Sequence, residues 1–390
     1  MAIVAASAPP PRTVSRSNTI FDIPNVTSVL LFGFLDASVP FSYFLHVPSE
    51  LWQEIALGIK VVICIRSSSG VRLGRLSAFS LYSLAAIVLI SYGVGGAALD
   101  DYKPVIGFFA NLMFTLMFVR RSNLPAYVLA CVCTIGISTL LYIVVAQTGG
   151  VQVIWGRFAY FGDTEPNLGS EIIAMSVVLA TCVLPPTRLL IFAAPSLYAI
   201  NLMQGRSGLF VSIASLAIKL YLGIERPKTR AITTSILVVV GLVLYLFFLD
   251  AVTAYFNALF LIDDEYRGTS TGFTGRDELW GAAWNYFLQS PVIGNGVVNY
   301  GEIGVEPHNF FLFGLTKFGM LSFLIFGMII YLYYDLYRSN RQWLYGLSAI
   351  PILWVFNDRF LNLNPYPFLL YVVLFAHADD DRLPVVISPP

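Results

Sequence analysis

Four side chains in this sequence could do chemistry together: Arg157, Arg206, Arg276 and His308. A guanidinium presents a planar fork of N–H donors that matches the oxygens of a phosphate. Several such groups at one surface suit a pyrophosphate, and a nearby helix N-terminus adds backbone donors and a favourable dipole. Histidine titrates near neutrality and can take the proton from an attacking hydroxyl. Arg206 is the sharpest of the set. It sits in Asn201-Leu-Met-Gln-Gly-Arg-Ser-Gly208, a tight link between two apolar runs, with no acid within several residues to pair with it. Arg157 lies in Trp155-Gly-Arg-Phe158, and Arg276 follows Thr274-Gly275. His308 lies in Glu306-Pro-His-Asn-Phe-Phe311, where a long polar link enters an apolar run. The plainer reading of each arginine is an anchor that snorkels to lipid head groups. The plainer reading of His308 is a hydrogen-bonded interfacial residue, and His46 and His377 read that way.

The elements that must position these groups are apolar. Of 390 residues, 57% are hydrophobic and 12% charged, and the mean hydropathy is +0.74. A water-soluble fold cannot bury that much apolar surface. The expected fold class is all-α, a polytopic helical membrane protein. A bilayer crossing needs about 20 apolar residues. About twelve candidate spans follow: 27–46, 51–65, 76–98, 104–119, 124–146, 168–184, 187–203, 207–224, 231–250, 308–334, 342–357 and 365–377. The second is short and carries Glu54 and Lys60, and the last is also short. This divides the chain into a disordered cytoplasmic tail (1–25), a transmembrane domain (26–378) and a second cytoplasmic tail (379–390). The first tail, with Arg12 and Arg16 ahead of an uncleaved span, does not read as a signal peptide. The net charge is zero, so nothing suggests a nucleic-acid partner. Cys64, Cys131, Cys133 and Cys182 all fall in apolar runs and read as small buried hydrophobes. Cys131 and Cys133 are expected on different helix faces.

Charge sets the direction of the spans. With the N-terminus inside, fourteen Lys and Arg residues fall in the inner segments and six in the outer ones: Lys103, Arg157, Arg206, Arg267, Arg276 and Arg359. That is a positive-inside bias, with both termini on the cytoplasmic side. The outer face then carries the one long loop, roughly 251–307. Loops of this length are often functional. Within it Thr274-Gly-Arg-Asp277 looks like a capping box that opens a helix. Leu279, Trp280, Ala283, Trp284, Phe287 and Leu288 follow at helical spacing and Pro291 ends the run, a pattern that suits a helix lying in the membrane interface. Asp263-Asp-Glu265 offers clustered carboxylates to a hard cation, although a solvated turn is the plainer reading. Lys317 falls inside a span, where an ion is costly and faces a cavity or a partner. Its options are the site itself, Asp36 or Glu171.

The signature block resembles the O-antigen ligase / polysaccharide polymerase superfamily. It comprises Thr274-Gly-Arg-Asp-Glu-Leu-Trp280, Ser290-Pro-Val-Ile-Gly-Asn-Gly296, His308-Asn-Phe-Phe-Leu312 and Gly319, and continues to about residue 323. Upstream, Arg157 with Pro166-Asn167 resembles the family's Arg and Pro-Asn stretch, and Gln204-Gly-Arg-Ser207 its short arginine loop. The resemblance implies an inverting membrane glycosyltransferase at the periplasmic face of the bacterial inner membrane. Its donor would be an undecaprenyl-pyrophosphate-linked glycan. A ligase passes the glycan to the lipid A core, and a polymerase passes it to another lipid-linked repeat unit. By resemblance, Arg206 and Arg276 bind the donor pyrophosphate, with Arg157 and Asn309 also on substrate, and His308 acts on the acceptor hydroxyl. No cofactor or metal is implied. Membrane lipids and a chain-length regulator would be the partners.

This sequence departs from the pattern at two places. Many members have an acid near the position of Lys317, and many have a glycine where this chain has Ser322. Both bear on the acceptor side. A polymerase for exopolysaccharide or O-antigen synthesis is the expected function, with a ligase as the alternative. A polysaccharide-unit flippase is the alternative of another class. A flippase needs charge deep in a cavity that spans both leaflets, whereas the unexplained cations here gather at one face.

Overall fold

The computed structural model describes residues 26–66, 75–154, 157–160, 165–224, 226–260, 272–296, 307–356 and 365–378. All twelve apolar runs are helical, and several are divided. The first run gives α1 (Val26–Ala37) and α2 (Val39–Phe44), which break at Ser38. Pro40 opens α2 because it lacks the N–H that a continuous helix needs. The next helices are α3 (Ser49–Arg66), α4 (Arg75–Val94), α5 (Leu99–Phe118) and α6 (Leu124–Gln147). A two-stranded antiparallel hairpin follows, β1 (Val153–Ile154) and β2 (Arg157–Phe158), with Ile154 opposite Arg157. This hairpin, with strands of two residues each, is a small addition to the helical fold. Helices α7 (Pro166–Val183), α8 (Pro186–Leu202), α9 (Arg206–Leu222) and α10 (Pro227–Phe260) come next. Helix α11 (Gly272–Phe287) precedes α12 (Phe310–Phe318), a 3-10 turn over Gly319–Leu321, and α13 (Ser322–Ser339). Three helices close the described chain: α14 (Arg341–Leu347), α15 (Ile350–Phe356) and α16 (Pro365–Ala378).

Among the described residues, four helical stretches are long and apolar enough to cross a bilayer: Ser77–Val94, Leu124–Gln147, Pro166–Val183 and Phe310–Ser339. A bent pair, Pro227–Val243 and Tyr245–Ala254, makes a fifth if it counts as one span. The chain is a helical membrane protein. The bend in α10 is 71°, with non-helical backbone at Phe248, so the run expected as one straight span is two segments. The helix also continues to Phe260, ten residues into what reads from sequence as loop. Helix α11 begins at Gly272, so Thr274 lies inside its first turn instead of capping it. Asp263, Asp264, Glu265 and both tails lie outside the described residues.

Helix α7 is the centre of the bundle. Nearly every side chain on it is buried, as expected of a helix that is apolar or small on all faces. It packs against α6, α8, α9, α14 and α16. Cys64, Cys131 and Cys182 are buried, but Cys133 is exposed, so the adjacent pair does fall on two faces.

A second feature lies inside the bundle between α1, α3 and α5. Lys60 is fully buried and pairs with Asp36. Its ammonium also donates to Asn111 and, at 2.8 Å, to Thr115. Asp36 in turn accepts from the Tyr127 hydroxyl at 2.8 Å, and the Phe32 and Phe368 rings flank the ammonium at 5.4 and 5.5 Å. An ion in such a place is tolerated when it is paired and hydrogen-bonded. This explains how α3 carries a lysine at its centre. It also removes Asp36 from the possible partners of Lys317.

Candidate functional site

Arg157 is positioned by the hairpin. Beyond β2 the chain continues to Tyr160, whose ring packs against Gly169 of α7 and whose hydroxyl lies 3.0 Å from Ser138 on α6. With Tyr160 so wedged, Arg157 is buried beside the start of α7, and its Nη1 donates to Asn167 Oδ1 at 2.8 Å. The two residues read as one stretch from sequence are therefore in contact.

Arg206 is the first residue of α9. The chain turns there through Gln204, whose φ of +50° lies in the left-handed region. Helix α9 then starts hard against α7. A Cβ on Gly205 would overlap the Ser170 side chain, and one on Gly208 would come within 2.7 Å of the Ser170 carbonyl. Ser170 itself donates to the Asn167 carbonyl at 2.7 Å. Arg157, Asn167, Ser170 and the Arg206 turn thus form one contiguous group at the N-terminal ends of α7 and α9. Glu171, one turn along α7 from Asn167, is buried next to this group. From sequence it is only one option as a partner for Lys317.

His308 is reached by another route. Ser215 of α9 donates to the Gly346 carbonyl in α14 at 2.9 Å, and Gly346 faces Thr181 and Cys182 at the C-terminal end of α7. Helix α15 then packs along α9 and ends at Phe356. The Val355 carbonyl there accepts from Asn309 Nδ2 at 3.2 Å. The oxygen of the same amide caps α12, accepting from Phe311 and Leu312 N–H at 3.0 Å each. Asn309, expected among the substrate contacts, thus has its amide engaged in holding backbone. His308, just before it, is half-buried and has a φ of +42°, uncommon for a side chain with a Cβ.

Arg276 lies within α11. One turn further on, Trp280 donates from Nε1 to the Pro307 carbonyl at 2.8 Å, so α11 is tied to the segment that carries His308. On α11, Ala283 and Phe287 are buried while Trp284, and Leu288 just beyond the helix end, are exposed, an amphipathic division that fits a helix at a membrane surface.

The Pro291-to-Gly296 turn locks this region to the end of α12. Asn295 N–H donates to the Thr316 carbonyl at 2.9 Å, Gly296 N–H to Lys317 at 3.0 Å, and Met320 N–H to Pro291 at 2.8 Å. Gly294 and Gly319 have φ of +84° and +57°. A Cβ on Gly294 would overlap the Lys317 carbonyl, and one on Gly319 would lie 2.5 Å from the Gly294 nitrogen. Two backbones meet here at a distance only glycine allows. Ser322, the departure from the family's second glycine, is buried and donates to the Gly319 carbonyl at 2.7 Å, so it closes the 3-10 turn. Lys317 Nζ lies 3.5 Å from the Tyr92 hydroxyl and 4.6 Å from the Phe313 ring centroid.

Residues 191–327 match the family model described as O-antigen ligase. The match runs from α8 into α13 and contains Arg206, Arg276, His308 and Asn309. Arg157 and Asn167 precede it. No curated protein matches the chain. The matched segment is the one that holds the arginine turn, α11, the glycine lock and the histidine, and over that segment the chain is similar to the O-antigen ligase family of membrane glycosyltransferase-type enzymes.

Proposed function

We propose that the protein is a polysaccharide polymerase of the bacterial inner membrane, with about twelve crossings and both termini in the cytoplasm. It takes a glycan from an undecaprenyl-pyrophosphate donor at the periplasmic face and adds it to a sugar hydroxyl of a lipid-linked acceptor. The observation that supports this best is the group of Arg157, Asn167 and the Arg206 turn at the N-termini of α7 and α9, inside or next to the matched segment. In the reaction, His308 accepts the proton of the acceptor hydroxyl. The hydroxyl oxygen bonds to the anomeric carbon as the bond to pyrophosphate breaks, with inversion. Negative charge gathers on the departing pyrophosphate, where preorganised guanidiniums stabilise it most. Arg206, Arg276 and Arg157 take the part that a divalent cation plays in many soluble transferases. Asn309 serves through its backbone cap, by holding His308 at the mouth of α12.

The test is transfer by the purified protein in liposomes supplied with a lipid-linked repeat unit. The expected product is a ladder of longer lipid-linked chains. Product found only on added lipid A core would make the protein a ligase. Movement of the donor between leaflets with no new glycosidic bond would make it a transporter and end the enzymatic reading.

A further inference from the structure

We infer that Trp280 is a positioning residue that ties His308 to α11, the helix of Arg276, through the hydrogen bond from its indole to the Pro307 carbonyl. The inference rests on the glycosyl-transfer reading above and adds to it a residue with no assigned part in the reaction. Three observations carry it.

First, Trp280 lies four residues beyond Arg276 on α11, one helical turn along the same element. Second, its indole N–H donates to the Pro307 carbonyl at 2.8 Å across a separation of 27 residues. Pro307 is joined to His308 by the next peptide bond. Third, His308 has φ of +42°. A residue with a Cβ stays in that region only when its surroundings hold it there. The holding groups are visible on both sides. Asn309 is fixed by its cap of α12 and its bond to Val355, and Pro307 is fixed by Trp280.

Proline has no N–H of its own, so the only backbone polar group Pro307 offers is the carbonyl that Trp280 takes. The indole therefore clamps the plane of the Pro307–His308 peptide, which fixes φ of His308 and the direction of its imidazole. Because the clamp stands on α11, any shift of the Arg276 helix shifts the histidine with it. The helix that carries Arg276 and the peptide that leads into His308 are thereby tied together.

The experiment compares the wild type with Trp280→Phe, which keeps an aromatic body and loses the donor. A second variant carries benzothienylalanine at position 280, with sulfur in place of N–H in the same bicyclic frame. This variant keeps the question open to test if phenylalanine packs poorly. Two quantities are read in liposomes: kcat and donor KM for glycan transfer, and the rate at which diethyl pyrocarbonate modifies His308, followed by mass spectrometry of its peptide. The expected result is a kcat lowered between about 10- and 100-fold, the scale of a small misplacement of a reacting group. Donor KM stays within about twofold, since the hydrogen bond acts on the proton acceptor and uniform binding is untouched. The modification rate of His308 changes several-fold in both variants.

Wild-type kcat and an unchanged His308 modification rate in the sulfur variant would overturn the inference. So would a raised KM with kcat intact, which would make Trp280 part of donor binding. If the wild-type protein transferred no glycan, the proposed function would fall, and the modification rates alone would still decide whether Trp280 holds His308.

Discussion

Arg206→Ala is expected to lower the rate of glycan transfer by about 100- to 1,000-fold, the usual loss when one preorganised donor to a developing negative charge is removed. The size follows from where Arg206 stands. It is the first residue of α9, so its fork and the free N–H groups of the helix end can address the same anion. The turn that carries it is rigid, because Gly205 and Gly208 are pressed onto Ser170. Arg206→Lys is expected to recover little, since an ammonium is a point charge without the paired donors of a guanidinium. His308→Ala is expected to cost about 100- to 10,000-fold, the range for a general base. Initial rates in proteoliposomes at saturating donor measure both. An Arg206→Ala protein with more than half the wild-type rate would remove Arg206 from the site.

Lys60→Met is expected to destabilise the folded protein by about 3–5 kcal/mol, the cost of leaving one half of a buried ion pair behind. The carboxylate of Asp36 would remain with the Tyr127 and Thr115 hydroxyls and no cation. The double variant Asp36→Leu with Lys60→Met should regain most of the loss, because an apolar pair of similar volume suits that interior as well as an ion pair does. Unfolding in lipid bicelles measures both. If the double variant proved no better than the single one, the pair would be incidental to stability.

How far the sequence speaks depends on the kind of interaction. Runs of apolar residues announce helices, and each of the twelve runs is helical. Their lengths mislead where a proline such as Pro40 or a glycine such as Gly319 divides a run. The 71° bend in α10 falls between Val243 and Tyr245, shortly after Gly241, a single glycine in an otherwise unbroken apolar run. Arg206 stands out in sequence because it is a cation with no local acid, and Arg157 through its pairing with Pro166-Asn167. The hairpin that presents Arg157 has strands of two residues, too short for any period to register. The partner of Lys60 could not be read at all, since Asp36 and Asn111 lie 24 and 51 residues away in the chain. Asn309 resembles a motif residue facing substrate, and only the three-dimensional contacts reveal that its amide holds α12 and Val355.

The buried ion pair also bears on how the protein is made. Helix α3 carries Glu50, Glu54, Lys60 and Arg66, and a lysine at the middle of a lone helix disfavours insertion by about 2.5–3.5 kcal/mol. Asp36 leaves the ribosome before Lys60, whereas Asn111 and Thr115 follow it. A glycosylation-site reporter should therefore show α3 entering the bilayer better when α1 precedes it than alone, and equal insertion would argue against any dependence. On this account α3 is not a segment that chooses the membrane by its own hydrophobicity. Its entry is a cotranslational handover, begun by a carboxylate already in place and completed when the fifth helix emerges.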